Sequence, residues 1–410
     1  MISGRDIIFV SSIEWDYLWQ VHQEIAFRFA EAGNRILYIE NTGIRRPRLA
    51  DAKRIERRVL RWSKSLFSRE AREVSSNIFV MSPIVMPPFG STVSRFINRR
   101  ILLPFVKRAA SKLKFRDPII WTYLPSDTAL DLIRIVGTHA SVIAYYCGAD
   151  FRLLATRPRA CAETEEELLK SADLIFTTCS QLEDRCRRLS SNVHRIPALV
   201  DLNEFSLANS NGKQSPQSSN ASGSGVSFPI IGYTGGIHRH IDYDLLIEMA
   251  QARPDWLWVF VGAASVDISA LRALRNVKFL GQRPHSELAQ HLRTFDVCIV
   301  PYLRTDLTAT VVPMKVNEYL AMGKPIVSTL LPAVCDFNEQ HKILSTAPNE
   351  CGAFLAEIER ALSAADDHEE ISRRRQVAAL SDSRTFLDSV SNLIEMKTIE
   401  KASRANQSRP

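Results

Sequence analysis

Pro313-Met314-Lys315-Val316-Asn317-Glu318-Tyr319-Leu320-Ala321-Met322-Gly323-Lys324-Pro325-Ile326-Val327 reads as a helix between two breakers, followed by a strand. Working back from it, Val297–Tyr302, Val277–Leu280, Leu257–Val261 and Pro229–Tyr233 are apolar runs of strand length, and Pro325–Thr329 follows it. Helical spacing fills the gaps at Tyr243–Ala252, Ser286–Phe295 and Met314–Ala321. The first half has the same rhythm. Ile7–Ser11, Ile36–Glu40, Ile78–Ser82, Ile119–Leu124, Val142–Cys147 and Leu174–Cys179 are its strand-like runs. Val21, Ile25, Phe29 and Ala30 recur at helical spacing between the first two, and Ala32-Gly33-Asn34 closes that segment. Near-continuous apolar strands separated by helices imply α/β domains, each with a parallel sheet covered on both faces.

The boundary between the halves is compositional. Residues 206–225, SLANSNGKQSPQSSNASGSG, hold seven serines, four glycines or prolines and no aromatic. The expected organisation is an N-terminal domain at 1–205, a Ser/Gly-rich linker at 206–226 and a second domain at 227–375. A helix at 376–399 is expected to pack back on the first domain, ahead of a disordered tail at 400–410.

The chain has 410 residues, 45% hydrophobic and 24% charged, which excludes a disordered, collagenous or small disulfide-stapled protein. Its net charge of +7 is unevenly spread. Residues 45–72 carry eleven Lys/Arg against three acids, and residues 95–116 carry eight against none, so each stretch is net +8 and the remainder is net −9. Such local basicity points to an anionic partner, or to a solvated helix face. No recognition motif accompanies it, so nucleic acid is not the expected partner. No apolar run approaches the ~20 residues of a spanning helix, and Met1–Asp6 lacks a signal-peptide pattern. Seven scattered cysteines without a CxxC read as reduced thiols of a cytosolic protein. No metal-ligand spacing is present, so neither metal nor cofactor is expected.

Two constellations carry chemistry. Gly232-Tyr233-Thr234-Gly235-Gly236-Ile237-His238-Arg239 follows a strand and precedes a helix. Glycines there let backbone amides approach an anion, the helix N-terminus adds ~0.5 of a positive charge, and Arg239 is placed to meet a phosphate. A plain tight turn is the alternative. In the second constellation Lys315 and Glu318 are three apart and share a helix face. A carboxylate there suits ribose hydroxyls and a lysine suits a diphosphate, whereas a bare surface ion pair is worth ~0–1 kcal/mol. Thr308, Thr310, Val311 and Val312 precede the helix and offer amides for phosphate oxygens. In the first domain, Asp127 and Asp150 lie just past strand ends, where ligands of open α/β sheets bind; a helix N-cap is the alternative for Asp150. His22, Glu14, Trp15 and Asp16 lie near the first strand end.

GYTGGIHRHIDYDLL, LWVFVG, NVKFLGQRPHSELAQHLRTFDVCIVPY and PMKVNEYLAMGKPIVST resemble the nucleotide-binding domain of GT-B glycosyltransferases, within them the family 4 group (glycosyl transferases group 1). The resemblance is dense over 229–330. FVSSIEWDYLWQVHQEIAFRFAEAGNRILYIEN looks like the opening of bacterial polysaccharide-assembly members. ADLIFTTCSQL and VHRIPALVDLNEF look like the family's interdomain boundary, with Ala198-Leu199 where Asn-Gly is usual. The resemblance implies a GT-B architecture, two Rossmann-like domains facing each other across a cleft. It aligns Glu318 with the second glutamate of the E-x7-E motif, the donor-ribose ligand, and puts Thr310 where the first would stand. Lys315 and Arg239 become diphosphate ligands, with Gly235 and Gly236 lining the pocket. Phe279 and Leu280 fall in the nucleobase loop, or are ordinary strand residues.

The implied activity is sugar transfer from a nucleotide-diphosphate donor to a glycan or polyprenyl-diphosphate-linked acceptor, with retention and without a metal, in cell-surface polysaccharide synthesis. Asp150 and Asp127 would then be the catalytic candidates. The basic stretches 45–72 and 95–116 would meet an anionic membrane surface, with the protein peripheral on its inner face. Two other readings share these residues. A sugar-nucleotide 2-epimerase would need no acceptor, and a non-catalytic GT-B-like binding subunit would tolerate loss of Glu318.

Overall fold

The computed structural model describes residues 1–11, 13–16, 19–40, 71–83, 85–86, 89, 92–137, 140–196, 199–205 and 228–407. Most of the 45–72 basic stretch, Pro197, Ala198 and the whole 206–226 segment lie outside the described residues. The chain divides into two compact units, Met1–Ile196 with Leu387–Pro410, and Pro197–Phe386.

The first unit holds the strands β1 (Asp6–Val10), β2 (Arg35–Ile39), β3 (Arg72–Ser75), β4 (Ile78–Met81), β5 (Ile119–Thr122), β6 (Val142–Cys147), β7 (Leu174–Thr177) and β8 (Val193–Arg195). They form one sheet in the order β3-β4-β2-β1-β5-β6-β7-β8, parallel except for the edge pair β3–β4. The side chains of β1, β5 and β7 are buried throughout, as an apolar strand covered on both faces must be. An aromatic stack ties the sheet's middle together. Trp121 lies 5.2 Å from Phe176 and 5.9 Å from Phe9, ring centre to ring centre.

The final helix, Ser383–Gln407, buries Val390 and Ile394 and is pinned to this unit at both ends. The N-terminal ammonium lies 3.2 Å from Asp388, and Lys401 lies 2.7 Å from Asp173. The helix therefore runs on through residues where the sequence alone suggests a disordered tail. The reason is electrostatic: Glu400 also pairs with Lys397 and Arg404 along the same helix.

The 95–116 stretch is helical as expected, in Thr92–Ile97, Asn98–Leu102 (a wider, π-type turn) and Pro104–Lys112. Its charge is partly spent. Arg95 and Arg99 turn to Asp131, a carboxylate buried on the helix Asp127–Val136. Among the described residues no helix is long and apolar enough to cross a membrane.

The second unit holds β9 (Ile230–Thr234), β10 (Leu257–Val261), β11 (Val277–Gly281), β12 (Val297–Val300), β13 (Ile326–Thr329) and β14 (Ser345–Ala347). The order is β11-β10-β9-β12-β13-β14 and every pair is parallel. The direction of winding reverses between β9 and β12, so their carboxyl ends flank the crevice where open α/β sheets bind ligands. Each unit is thus a Rossmann-like layer of helices on a parallel sheet, the fold class the sequence implies.

Gly232 fixes one packing distance in this sheet. A Cβ there would lie 1.9 Å from the Phe295 ring, which is itself buried. Gly232→Ala should therefore destabilise the chain by about 1–3 kcal/mol. The check is the urea midpoint of the full chain; an unchanged midpoint would refute this packing.

Candidate functional site

β9 ends at Thr234, and the turn after it is tightly constrained. Gly235 adopts a φ of 111°, a conformation glycine accepts without strain. Its amide donates to the Val261 carbonyl at 2.8 Å, and the Ile237 amide to the Ala263 carbonyl at 2.9 Å. A Cβ on Gly262 would stand 1.9 Å from the Gly235 carbonyl oxygen. The Gly235 amide is therefore spent on the neighbouring strand end and does not reach for an anion, contrary to the sequence expectation. Gly235 supplies space instead: its missing Cβ would lie only 3.1 Å from the Lys315 ammonium.

That ammonium is held by aromatic hydroxyls. Lys315 Nζ donates to Tyr302 Oη at 2.7 Å and to Tyr233 Oη at 3.2 Å. It also sits 4.6 Å from the Tyr233 ring centre and 5.1 Å from that of Tyr302. Tyr233 in turn donates its hydroxyl to the Gly236 carbonyl at 2.9 Å. The helix Met314–Ala321, which carries Lys315, is anchored by Tyr319, whose hydroxyl accepts the Thr234 amide at 2.8 Å. A half-buried cation therefore stands at the N-terminal end of a helix, beside a glycine turn at the sheet's switch point. That combination suits an anion.

His238 belongs to the same neighbourhood. Burial first, then the positive charge of Lys315, with lesser pushes from His240 and Arg239, lowers its imidazole to about 4. Arg239 itself is exposed, its Nε 3.4 Å from His240 Nε2.

Glu318 lies one helical turn beyond Lys315 and is 8% exposed. Its partner is His285: the imidazole Nε2 is 3.5 Å from Glu318 Oε1, and Nδ1 is 2.9 Å from Glu204 Oε2. Burial pushes this imidazole down, but the hydrogen bonds and charges of Glu204 and Glu318 outweigh it and lift it to about 10. His285 is therefore an imidazolium at neutral pH, clamped between two carboxylates. The Phe205 ring meets it edge-on at 6.0 Å.

The other expected residues have local work. Thr310 caps its own turn, its hydroxyl donating to the Leu307 carbonyl at 3.1 Å. The Thr310 and Val311 amides bond back to Leu307 and Thr308 at 3.3 and 3.4 Å. Phe279 and Leu280 pack on the domain core, and Phe279 stacks on Phe260 at 5.0 Å under the Arg272 guanidinium.

In the first unit Asp127 opens its helix and accepts the Phe89 amide with both oxygens at 3.0 Å. Asp150 caps the turn Phe151–Leu153 and binds the Arg152 guanidinium at 2.8 and 2.5 Å. Burial pushes the Asp150 carboxyl up, but Arg152 and Arg185 outweigh it and hold it low. Both carboxylates serve the fold around them, so we assign neither a proton-transfer role.

Near the end of β1, Ser11 Oγ lies 2.7 Å from His22 Nδ1 and accepts the Tyr38 hydroxyl at 2.8 Å. His22 stacks on Tyr123 at 3.6 Å, and burial lowers it to about 3, so it is neutral. Glu14, Trp15 and Asp16 lie beside it: Trp15 donates its amide to Glu40 at 2.6 Å, Gln23 reaches the Glu14 carbonyl at 3.2 Å, and Asp16 pairs with Arg72 at 2.9 Å. All seven cysteines are free thiols, and among the described residues no cluster of three or more His, Cys, Asp or Glu is placed to hold a metal.

Five residues of this geometry escape the sequence reading: Glu204, Tyr233, His238, His285 and Tyr302. The tyrosines had a signal, since Tyr233 stands near the carboxyl end of β9 and Tyr302 just past that of β12. His285 had none, being 33 positions from Glu318 and 81 from Glu204.

Residues 228–364 match the family model described as glycosyl transferases group 1. The matched segment lies wholly within the second unit. The chain is 28% identical over 232 residues to a protein of Bacillus subtilis (strain 168) whose name provisionally makes it the teichuronic acid biosynthesis glycosyltransferase TuaH. That alignment covers 55% of this chain and 57% of the relative, so the match spans little more than half of either protein. Solved structures with the same fold include the sucrose-phosphate synthase of Thermosynechococcus elongatus (TM-score 0.66, 16% identity, 98% of this chain and 100% of that one). The Anabaena protein Alr3699/HepE, solved with UDP and glucose, is another (TM-score 0.62, 14% identity, 95% and 99%). The matched segment includes the helix Met314–Ala321, with Lys315 and Glu318, that the sequence singles out.

The His285 clamp sets a pH window for stability. The imidazole is raised from about 6.5 to about 10 in the folded chain, so its contribution is complete below about 6.5 and is lost as pH climbs through about 10. The melting-temperature gap between the wild type and His285→Gln should narrow steadily over that interval. A gap constant from pH 6 to 10 would contradict the clamp.

Proposed function

We propose that this chain is a glycosyltransferase taking its sugar from a nucleoside-diphosphate donor and passing it to a glycan or polyprenyl-diphosphate-linked acceptor in cell-surface polysaccharide assembly. The observation that carries the reading is the Lys315 ammonium, seated on two tyrosine hydroxyls beside Gly235 with Glu318 one turn along the same helix. Lys315 and the helix N-terminus meet the diphosphate, and Glu318 accepts the ribose hydroxyls. In the transfer step the bond from the anomeric carbon to the β-phosphate oxygen breaks, and the acceptor oxygen bonds to that carbon. The acceptor's proton ends on the departing diphosphate, on the same face, so the configuration is retained. The negative charge that grows on the leaving group falls next to Lys315, which is stabilisation specific to the transition state. No metal is part of this scheme, since the chain's own cation takes that charge.

The acceptor side of the proposal is a lipid surface at the inner face of the cell membrane. Val93, Phe96 and Ile101 are exposed at 66%, 59% and 54% on the helical segment whose arginines include the exposed Arg99 and Arg100, with Lys107 and Arg108 exposed on the next helix. Exposed apolar side chains among exposed cations suit an anionic leaflet.

A thermal-shift screen of the full chain against UDP-, GDP- and ADP-sugars should give a selective shift that disappears in Glu318→Ala. Lys315→Ala should lower kcat by about 100-fold, more than it raises KM. No shift with any donor would favour a non-catalytic binding role. Separately, the chain should float with phosphatidylglycerol vesicles at about 0.1 M salt and release towards 1 M. Phe96→Ser with Ile101→Ser should weaken that flotation.

A further inference from the structure

We propose that His285, steadied by Glu204, is a positioning residue that sets the Glu318 carboxylate for the donor's ribose; this rests on the reading of Glu318 as a ribose ligand. Three observations carry it. His285 enters the site from the turn after β11, and its two ring nitrogens face two different carboxylates, 2.9 Å from Glu204 Oε2 and 3.5 Å from Glu318 Oε1. A ring bonded through both nitrogens cannot rotate without losing one partner, so its orientation is fixed by the shorter contact to Glu204. Glu318 is nearly buried, where a lone carboxylate is costly and an opposite charge decides which rotamer it keeps.

The geometry leaves work for both oxygens of Glu318. Oε1 faces the imidazolium across the longer contact, and the carboxylate's remaining acceptor capacity suits a hydroxyl pair. Glu204 lies in the short segment Leu202–Phe205 that precedes the Ser/Gly-rich stretch, far in sequence from both residues it serves. Among the described residues, the charged groups acting on the His285 ring are those two carboxylates; Arg283 and Glu287 flank it on its own segment. Removing one carboxylate should therefore return the ring toward its ordinary titration range, and with it the hold on Glu318.

The test compares ribose recognition directly. The full chain is screened with UDP, GDP and ADP, and the tightest binder is then measured by calorimetry against its 2′,3′-dideoxy counterpart. The wild type should prefer the ribose form by about 10-fold, evenly from pH 6 to 9. Glu318→Ala should abolish that preference and His285→Ala should reduce it severalfold. Glu204→Gln should keep it at pH 6 and lose it as pH rises to 9, because the ring is then deprotonated within that range. A structural role alone would lower stability without making ribose preference depend on pH. If His285→Ala does not fold, the Glu204→Gln profile decides: a flat, wild-type profile overturns the proposal. A folded His285→Ala with full preference overturns it too, while loss in Glu318→Ala leaves the ribose reading standing. Failure of any diphosphate to bind the wild type, or an unchanged preference in Glu318→Ala, overturns the ribose reading itself.

Discussion

At the carboxyl ends of β9 and β10 two backbones approach so closely that Gly262 cannot take a Cβ without moving Gly235. The Gly235 carbonyl fills the place of a Gly262 Cβ, and the Gly235 amide closes the contact through Val261. The space left over the turn is taken by the Lys315 side chain. Because Tyr319 on the same helix receives the Thr234 amide, the helix is locked to the end of β9, and the position of Glu318 follows from it. A change of one methyl group at Gly235 or Gly262 would therefore be felt at both charged residues.

The two charges on that helix are kept apart by what each is given. Lys315 meets the neutral hydroxyls and aromatic faces of Tyr233 and Tyr302, which leave its charge in place. Glu318 faces an imidazolium and is compensated. A direct ion pair between residues three apart on one helix would have been easy to make and would have left neither available. The separation leaves a net positive spot at the sheet's switch point, with an acceptor carboxylate one turn away.

Much of the fold was legible because most of its strands are apolar and buried on both faces, which leaves an apolar run in the sequence. β3, β8 and β14 escape that reading. Each is three or four residues long and lies at a sheet edge, where one side of the ladder is open and polar residues such as Arg72, His194 and Ser345 cost little. The basic stretch 95–116 shows the converse. Its charge was visible, but the buried Asp131 that draws off Arg95 and Arg99 comes from a separate helix. Asp127 and Asp150 show that a strand end serves the fold as well as a ligand: Asp150 caps the turn after its strand, and Asp127 holds the Phe89 amide.

By itself the sequence determined two α/β domains, a glycine turn after the first strand of the second, and a helix bearing Lys315 and Glu318 on one face. Those features are local: they depend on residues within one or two turns of each other. What only the tertiary structure decided is what those residues touch. Gly235 gives room rather than an amide, Tyr233 from β9 and Tyr302 from the turn after β12 converge on Lys315, and His285 reaches both Glu204 and Glu318. Such contacts join residues tens of positions apart through the order of strands in a sheet, and strand order leaves no periodic trace in the chain.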